Sequence, residues 1–225
     1  KYPEPYQSAL FIGDWSYGVI YSVELQPSGG TYTGQLKPFV SAAPMAVTDI
    51  VVRPQDGCMY FSVGGRRTQS ALYRVRYTGS AATTAAQPPA LPAEFALQRA
   101  LEKAHHPNAD AASVQLALQH ISHSDRAVRS AARIVLEHQN PDTWKAAALQ
   151  LKQPYAKITS AIALARLKAA TLDELVNSVS SIAWSDMDET AILELMRAYQ
   201  IMFVRLGEPD ADLAKKVIAQ LNDHF

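Results

Sequence analysis

Asp14 and Trp15 stand together between two short apolar runs, and Arg66 follows Gly64 and Gly65 between two later ones. A carboxylate can hold a cation or a hydroxyl. An indole face can cover a sugar ring, and a guanidinium can hold an anionic group. The same residues also have structural uses: Trp15 packing between sheets, Asp14 capping a turn, Arg66 pairing with a carboxylate. The structural uses carry more weight, and Asp14, Trp15 and Arg66 stand as the ligand-binding candidates. Thr48 and Asp49 open a strand and read as a turn clamp. His120 and His123 lie three apart, with His105 and His106 earlier in the chain. Three imidazoles can hold zinc, but histidines at helix ends commonly bond the last carbonyls. No cysteine or carboxylate completes a ligand set at motif spacing, so no metal site is assigned. Cys58 begins an apolar strand and reads as a small buried residue. No nucleophile elbow, phosphate-binding glycine loop or His-Glu-x-x-His motif occurs, so no catalytic residue is assigned.

The elements that must position these residues fall into two unlike halves. Of the 225 residues, 48% are hydrophobic, enough for a packed core. Basic and acidic residues balance at 21 each, which argues against a nucleic-acid binder held by phosphate contacts. No apolar run is long enough for a membrane helix. The single cysteine excludes an internal disulfide and a c-type haem. A chain that begins with Lys1 rather than Met reads as processed, or as a piece of something longer. All but one of the 10 glycines lie at or before Gly79, whereas all six histidines come after residue 104. The join, Ser80 to Pro92, is rich in Ala, Thr and Pro and reads as an exposed linker. The expected divisions are therefore 1–79, 80–92 and 93–225.

Residues 1–79 read as six strands, SALFIGDW, GVIYSVEL, TYTGQLKPFV, VTDIVV, CMYFSVGG and SALYRVRY, separated by turn residues. In the second, Ile20, Ser22 and Glu24 share one face, with Val19, Tyr21, Val23 and Leu25 on the other. That alternation suits a half-buried antiparallel strand. An internal repeat is also visible. Leu10-Phe11-Ile12-Gly13 aligns with Met59-Tyr60-Phe61-Ser62, and Val19 to Val23 aligns with Ala71 to Val75. The period is about 50 residues, in the range of propeller blades. From Ala93 onward, apolar residues recur at three and four, as in Val128, Ala131, Ala132, Val135 and Leu136. About eight helices are expected, with caps at Ser124 or Asp125, Asn140, Thr171 with Glu174, and Asp186 with Glu189.

Two resemblances follow from particular residues. Asp125, Val128-Arg129, Ala131-Ala132 and the aliphatic end at Leu136 resemble a HEAT repeat. In that resemblance Asp125 caps exposed amides, Arg129 reaches the neighbouring repeat, and Ala131 and Ala132 let helices approach closely. Phe11 to Trp15, Thr48 to Ile50, Asp56 to Phe61, Gly64 to Arg66 and Leu72 to Val75 resemble the last blades of a glucose/sorbosone dehydrogenase-like β-propeller. The order of the two resembles large exported bacterial proteins in which such a propeller precedes HEAT-like helices. The expected fold is α+β, one to two propeller-like blades followed by an α-helical HEAT-like solenoid. A propeller needs at least four blades, so the resemblance implies the C-terminal portion of a longer periplasmic or extracellular protein.

Two functions are in view. One is a non-catalytic scaffold or protein-interaction module, whose partner is another protein or the upstream blades. The other is part of a pyrroloquinoline-quinone-type sugar or alcohol dehydrogenase with an active site mostly upstream. No cofactor is assigned to this chain; the quinone and calcium are implied only for a longer parent.

Overall fold

The computed structural model describes residues 2–222. It is mixed α+β and divides into two compact units, one up to Leu91 and one from Pro92 onward.

In the first unit a short helix, α1 (Glu4–Gln7), precedes six strands: β1 (Leu10–Asp14), β2 (Val19–Ser28), β3 (Thr31–Ser41), β4 (Val47–Val52), β5 (Met59–Gly65) and β6 (Thr68–Val75). They form two antiparallel three-stranded sheets, ordered β1-β2-β3 and β4-β5-β6. The strands lie where alternation places them, but β2 is more buried than a half-covered strand. Ile20, Ser22 and Val23 are all buried, so both of its faces are covered. β2 is the central strand of its sheet, and the Ser22 hydroxyl donates to the Lys37 carbonyl at 3.4 Å.

The sequence repeat has a structural counterpart. Leu10 opposes Val23 in the β1–β2 hairpin, as Met59 opposes Val75 in the β5–β6 hairpin. The third strand differs between the two sheets. It joins beyond β2 in one, as β3, and beyond β5 in the other, as β4. β1 runs close to β4, since a Cβ on Gly13 would lie 2.7 Å from Val47 Cγ1. A small core of Ile20, Met45, Val47, Phe61 and Val63 results. The Ala/Thr/Pro stretch is tied down rather than free. Gln7 donates to the Thr84 carbonyl and accepts from the Ala86 amide.

The second unit contains α2 (Ala93–Glu102), α3 (Ala111–His120), α4 (Arg126–His138), α5 (Lys145–Leu149), α6 (Pro154–Leu167), α7 (Leu172–Ser180), α8 (Glu189–Leu206) and α9 (Ala211–Asn222). One 3-10 turn, Pro141–Thr143, precedes α5, and another, Trp184–Asp186, precedes α8. Several of the helices start after a short polar side chain that accepts exposed amides, whereas α2, α5 and α6 start without one. Asp110 accepts from Ser113, Asp125 from Val128, and Asp188 from Ala191. Thr171 and Glu174 form a complete capping box. The cap of α8 is Asp188, not Asp186 as the sequence spacing suggests. Asp186 is absorbed by the preceding 3-10 turn, and Asn140 caps the other one.

α4 packs against α2, α3 and α6, and α6 packs against α8. Alanines make this close approach feasible; Ala131, Ala132, Ala161, Ala163 and Ala165 are buried between larger aliphatic residues. Trp144 is fully buried in the same core. Among the described residues, no helix is long and apolar enough to cross a membrane.

Candidate functional site

The structure brings two of the three sequence candidates together. Trp15 and Arg66 line one hollow of about 240 Å³ in the β unit, with Tyr17 beside them. The cause is a link between the two equivalent turns: Trp15 Nε1 donates to the Gly64 carbonyl at 3.3 Å. Even so, the indole stays 57% exposed. Asp14 is not among the lining residues. Its Oδ1 accepts from the Ser16 and Tyr17 amides at 2.8 and 2.9 Å, which is the turn-capping use. Thr48 likewise ties strands, bonding the Ser62 carbonyl from β4. The hollow offers no carboxylate. Its residues do not fit a calcium-bound quinone, and no step is derived through one.

The histidines fall in pairs, His120 with His123 and His105 with His138, with ring centres 5.9 and 6.3 Å apart. His105 Nε2 bonds the Ala131 carbonyl, and His123 Nδ1 accepts from the Asp125 amide. Burial and the neighbouring His123 push the His120 imidazole below its ordinary pKa. Among the described residues, no group of three or more His, Cys, Asp or Glu side chains lies close enough to hold a metal ion.

A second site lies in the helical unit and was not singled out from the sequence. A groove of about 240 Å³ runs over α4, α6 and α8. Arg126, Arg129 and Arg133 come from α4, Arg166 from α6, and Arg197 and Glu194 from α8. Side-chain pairs show how these helices align. Arg129, early in α4, meets Glu194, early in α8. Glu137, at the end of α4, meets Arg166, at the end of α6. Arg129 also meets Tyr155, early in α6, so α4 and α6 run in the same direction, α8 starts beside both starts, and the arginines of all three fall into one field.

The five guanidinium groups are not equivalent. Arg129 is buried and fully engaged. It donates to the His123 and Ser124 carbonyls at 2.6 and 2.8 Å and to Glu194 Oε1 at 2.7 Å. Its guanidinium also lies 3.9 Å from the centre of the Tyr155 ring, a cation–π distance. The Tyr155 hydroxyl donates to Asp188, and burial together with that bond pushes its pKa up to about 12. Arg129 thus joins the α4 cap, α6 and α8. Val128 is buried, and Asp125 Oδ1 accepts from its amide at the start of α4.

Arg133 and Arg166 share Glu137. Arg133 donates to its Oε1, and Arg166 Nε to its Oε2 at 3.0 Å. The two remaining arginines are less neutralised. Arg126 is 84% exposed, and its Nε lies 4.0 Å from Glu194. Arg197 bonds the neutral amide of Gln200. Ile162 and Ile201, both half-buried, add an apolar strip. Arginine stays charged at any physiological pH, so five cations face the carboxylates of Glu194 and Glu137. In a chain with no formal net charge, that is a local excess of positive charge.

One signal for this groove was present in the sequence: Arg126, Arg129 and Arg133 lie at helical spacing and share a face of α4. Arg166 and Arg197 join them only through tertiary packing. Compared with family models, with curated proteins and with solved structures, the chain matches none.

Proposed function

We propose that this chain is a non-catalytic protein-interaction module, part of a larger exported, periplasmic or extracellular protein. Its helical unit is a HEAT-like solenoid, and α4, α6 and α8 carry the docking surface. The observation behind this reading is the groove, where one arginine field is assembled from three helices. Solenoids offer extended surfaces of this kind to protein partners. The β unit is one to two blades of a propeller whose other blades are supplied by upstream sequence.

The test is a photo-crosslinking side chain at Ser130, on the groove wall, in the full chain within cells of the source organism. One partner polypeptide should be captured at this position. Its capture should be lost when Arg126 and Arg197 are both replaced by Glu. Absence of a specific adduct at Ser130, with adducts arising from α3 or α7 instead, would remove the groove from the function.

A second reading is favoured by the shared hollow of Trp15, Tyr17 and Arg66. Here the β unit belongs to a pyrroloquinoline-quinone-type sugar or alcohol dehydrogenase, with the cofactor held upstream. Trp15 would cover a sugar ring and Arg66 would hold an anionic group. Dye reduction by the complete parent protein with the quinone, calcium and aldoses tests it. An inactive parent defeats it.

A further inference from the structure

We infer that the groove's occupant is an extended acidic segment of the partner protein, with carboxylates spaced about three residues apart and an aliphatic side chain between them. This rests on the docking reading above and adds the chemistry of what docks.

Charge complementarity is the first argument. Arg126 and Arg197 are the least neutralised cations of the groove, Arg126 with its Nε 4.0 Å from Glu194 and Arg197 bonded to the neutral Gln200 amide, and they flank a surface that already carries Arg133 and Arg166. The second argument is the chain's own use of this surface. Glu137 and Glu194 both seat carboxylates against these guanidinium groups at hydrogen-bond distance. Glu137 takes one N–H from Arg166 and one from Arg133. A guanidinium has five N–H donors in a fixed fork, so further donors serve an incoming carboxylate. Glu137 acts as a brace that holds the two forks in place before the partner arrives, which lowers the ordering cost of binding.

Spacing is the third argument. Arg126 and Arg133 are two turns apart on α4, about 10 Å at 1.5 Å rise per residue. An extended chain advances about 3.3 Å per residue and covers that span in about three residues. Ile162 and Ile201 lie in the same groove and give an aliphatic side chain a surface to cover. The apolar strip and the two glutamates disfavour a phosphodiester backbone, which carries charge at every step and no aliphatic side chain.

The test is fluorescence anisotropy with the full chain. The probe is a labelled peptide bearing Asp and Glu at three-residue spacing around a Leu. The controls are its Asn/Gln counterpart, a single-stranded oligonucleotide and anionic lipid vesicles. The acidic peptide should bind, weaken as salt rises, and lose affinity by about tenfold or more in Arg126→Glu/Arg197→Glu. Both positions are exposed, so the variant should keep its circular dichroism. The same variant should gain affinity for a Lys-bearing version of the peptide. Equal binding of the Asn/Gln peptide, indifference to the charge reversal, or tighter binding of the oligonucleotide or vesicles would each overturn the inference. A partner crosslinked at Ser130 through a neutral segment would leave the docking reading intact and defeat this one. Groove binding of the acidic peptide without a cellular adduct would do the reverse.

Discussion

At the scale of single residues, Arg129 holds the helical unit together at a point that the groove also uses. Its guanidinium satisfies two loop carbonyls, a carboxylate on α8 and a ring on α6. Removing one partner of a buried ion pair strands the other. Arg129→Ala should therefore cost about 3 kcal/mol in urea unfolding, the low end for a broken buried pair. Arg129→Lys should recover little of that, since an ammonium offers neither the planar fork nor the stacking face. A lysine variant as stable as the parent would show that Tyr155 and the fork geometry contribute little. The motif Asp125, Val128 and Arg129 was legible in the sequence because all its members lie within one turn and its cap. The partners of Arg129 were not, since Tyr155 and Glu194 come from α6 and α8.

At the scale of elements, helix ends set the response to acid. Asp188 sits below the ordinary carboxylate pKa because the Ala191 amide and then the Tyr155 hydroxyl bond its charged form. Glu174 is lowered by the Thr171 amide and Lys145, and Asp110 by Ser113. Folded pKa values below the unfolded ones mean that the unfolded chain takes up protons first. The stabilisation is present above the ordinary carboxylate range and fades as pH falls through the folded values. Melting temperature should thus fall below about pH 4. Asp188→Asn, still a good cap, should flatten that acid limb with little change near neutrality. An unaltered acid limb would assign the loss to other carboxylates.

The other end of α6 makes a separate prediction. Lys168 closes that helix with φ of 54°, a left-handed conformation that favours glycine. It is exposed, so Lys168→Gly should raise stability, by about 0.5–1 kcal/mol in urea unfolding. A loss of stability would mean that the lysine side chain matters more than its backbone angle. The Thr171–Glu174 box and the six strands were readable because cap spacing and alternation are local properties. The true cap of α8 was not, because Asp186 and Asp188 both precede an acidic first turn and only the 3-10 turn decides between them.

At the scale of the molecule, the two units rest on cores of very different extent. The helical core runs without a break from Leu101 to Val217. The β unit has a compact cluster around Ile20 and Phe61 and leaves Leu72, Val51 and Tyr73 substantially exposed. Amide hydrogen exchange should therefore be slower in α4, α6 and α8 than in any strand. Equal protection in β2 and α6 would contradict that ranking. The arginine groove also belongs to this scale. A formal charge of zero conceals it, because the arginines of one face are offset by acids elsewhere along the chain. Trp15 and Arg66, by contrast, could be paired from the sequence alone, since the repeat assigns them to equivalent turns.

The duplicated hairpins carry one more consequence. Their registers coincide, yet the third strand is added beyond β2 in one sheet and beyond β5 in the other. The unit that repeats in the sequence and the unit that folds are out of phase, like a text whose sentences do not end where its lines do. A cut at the sheet boundary, between Ser41 and Val47, separates two complete sheets but splits a repeat. A cut at the repeat boundary preserves the copies and leaves β4 without the strand it pairs with.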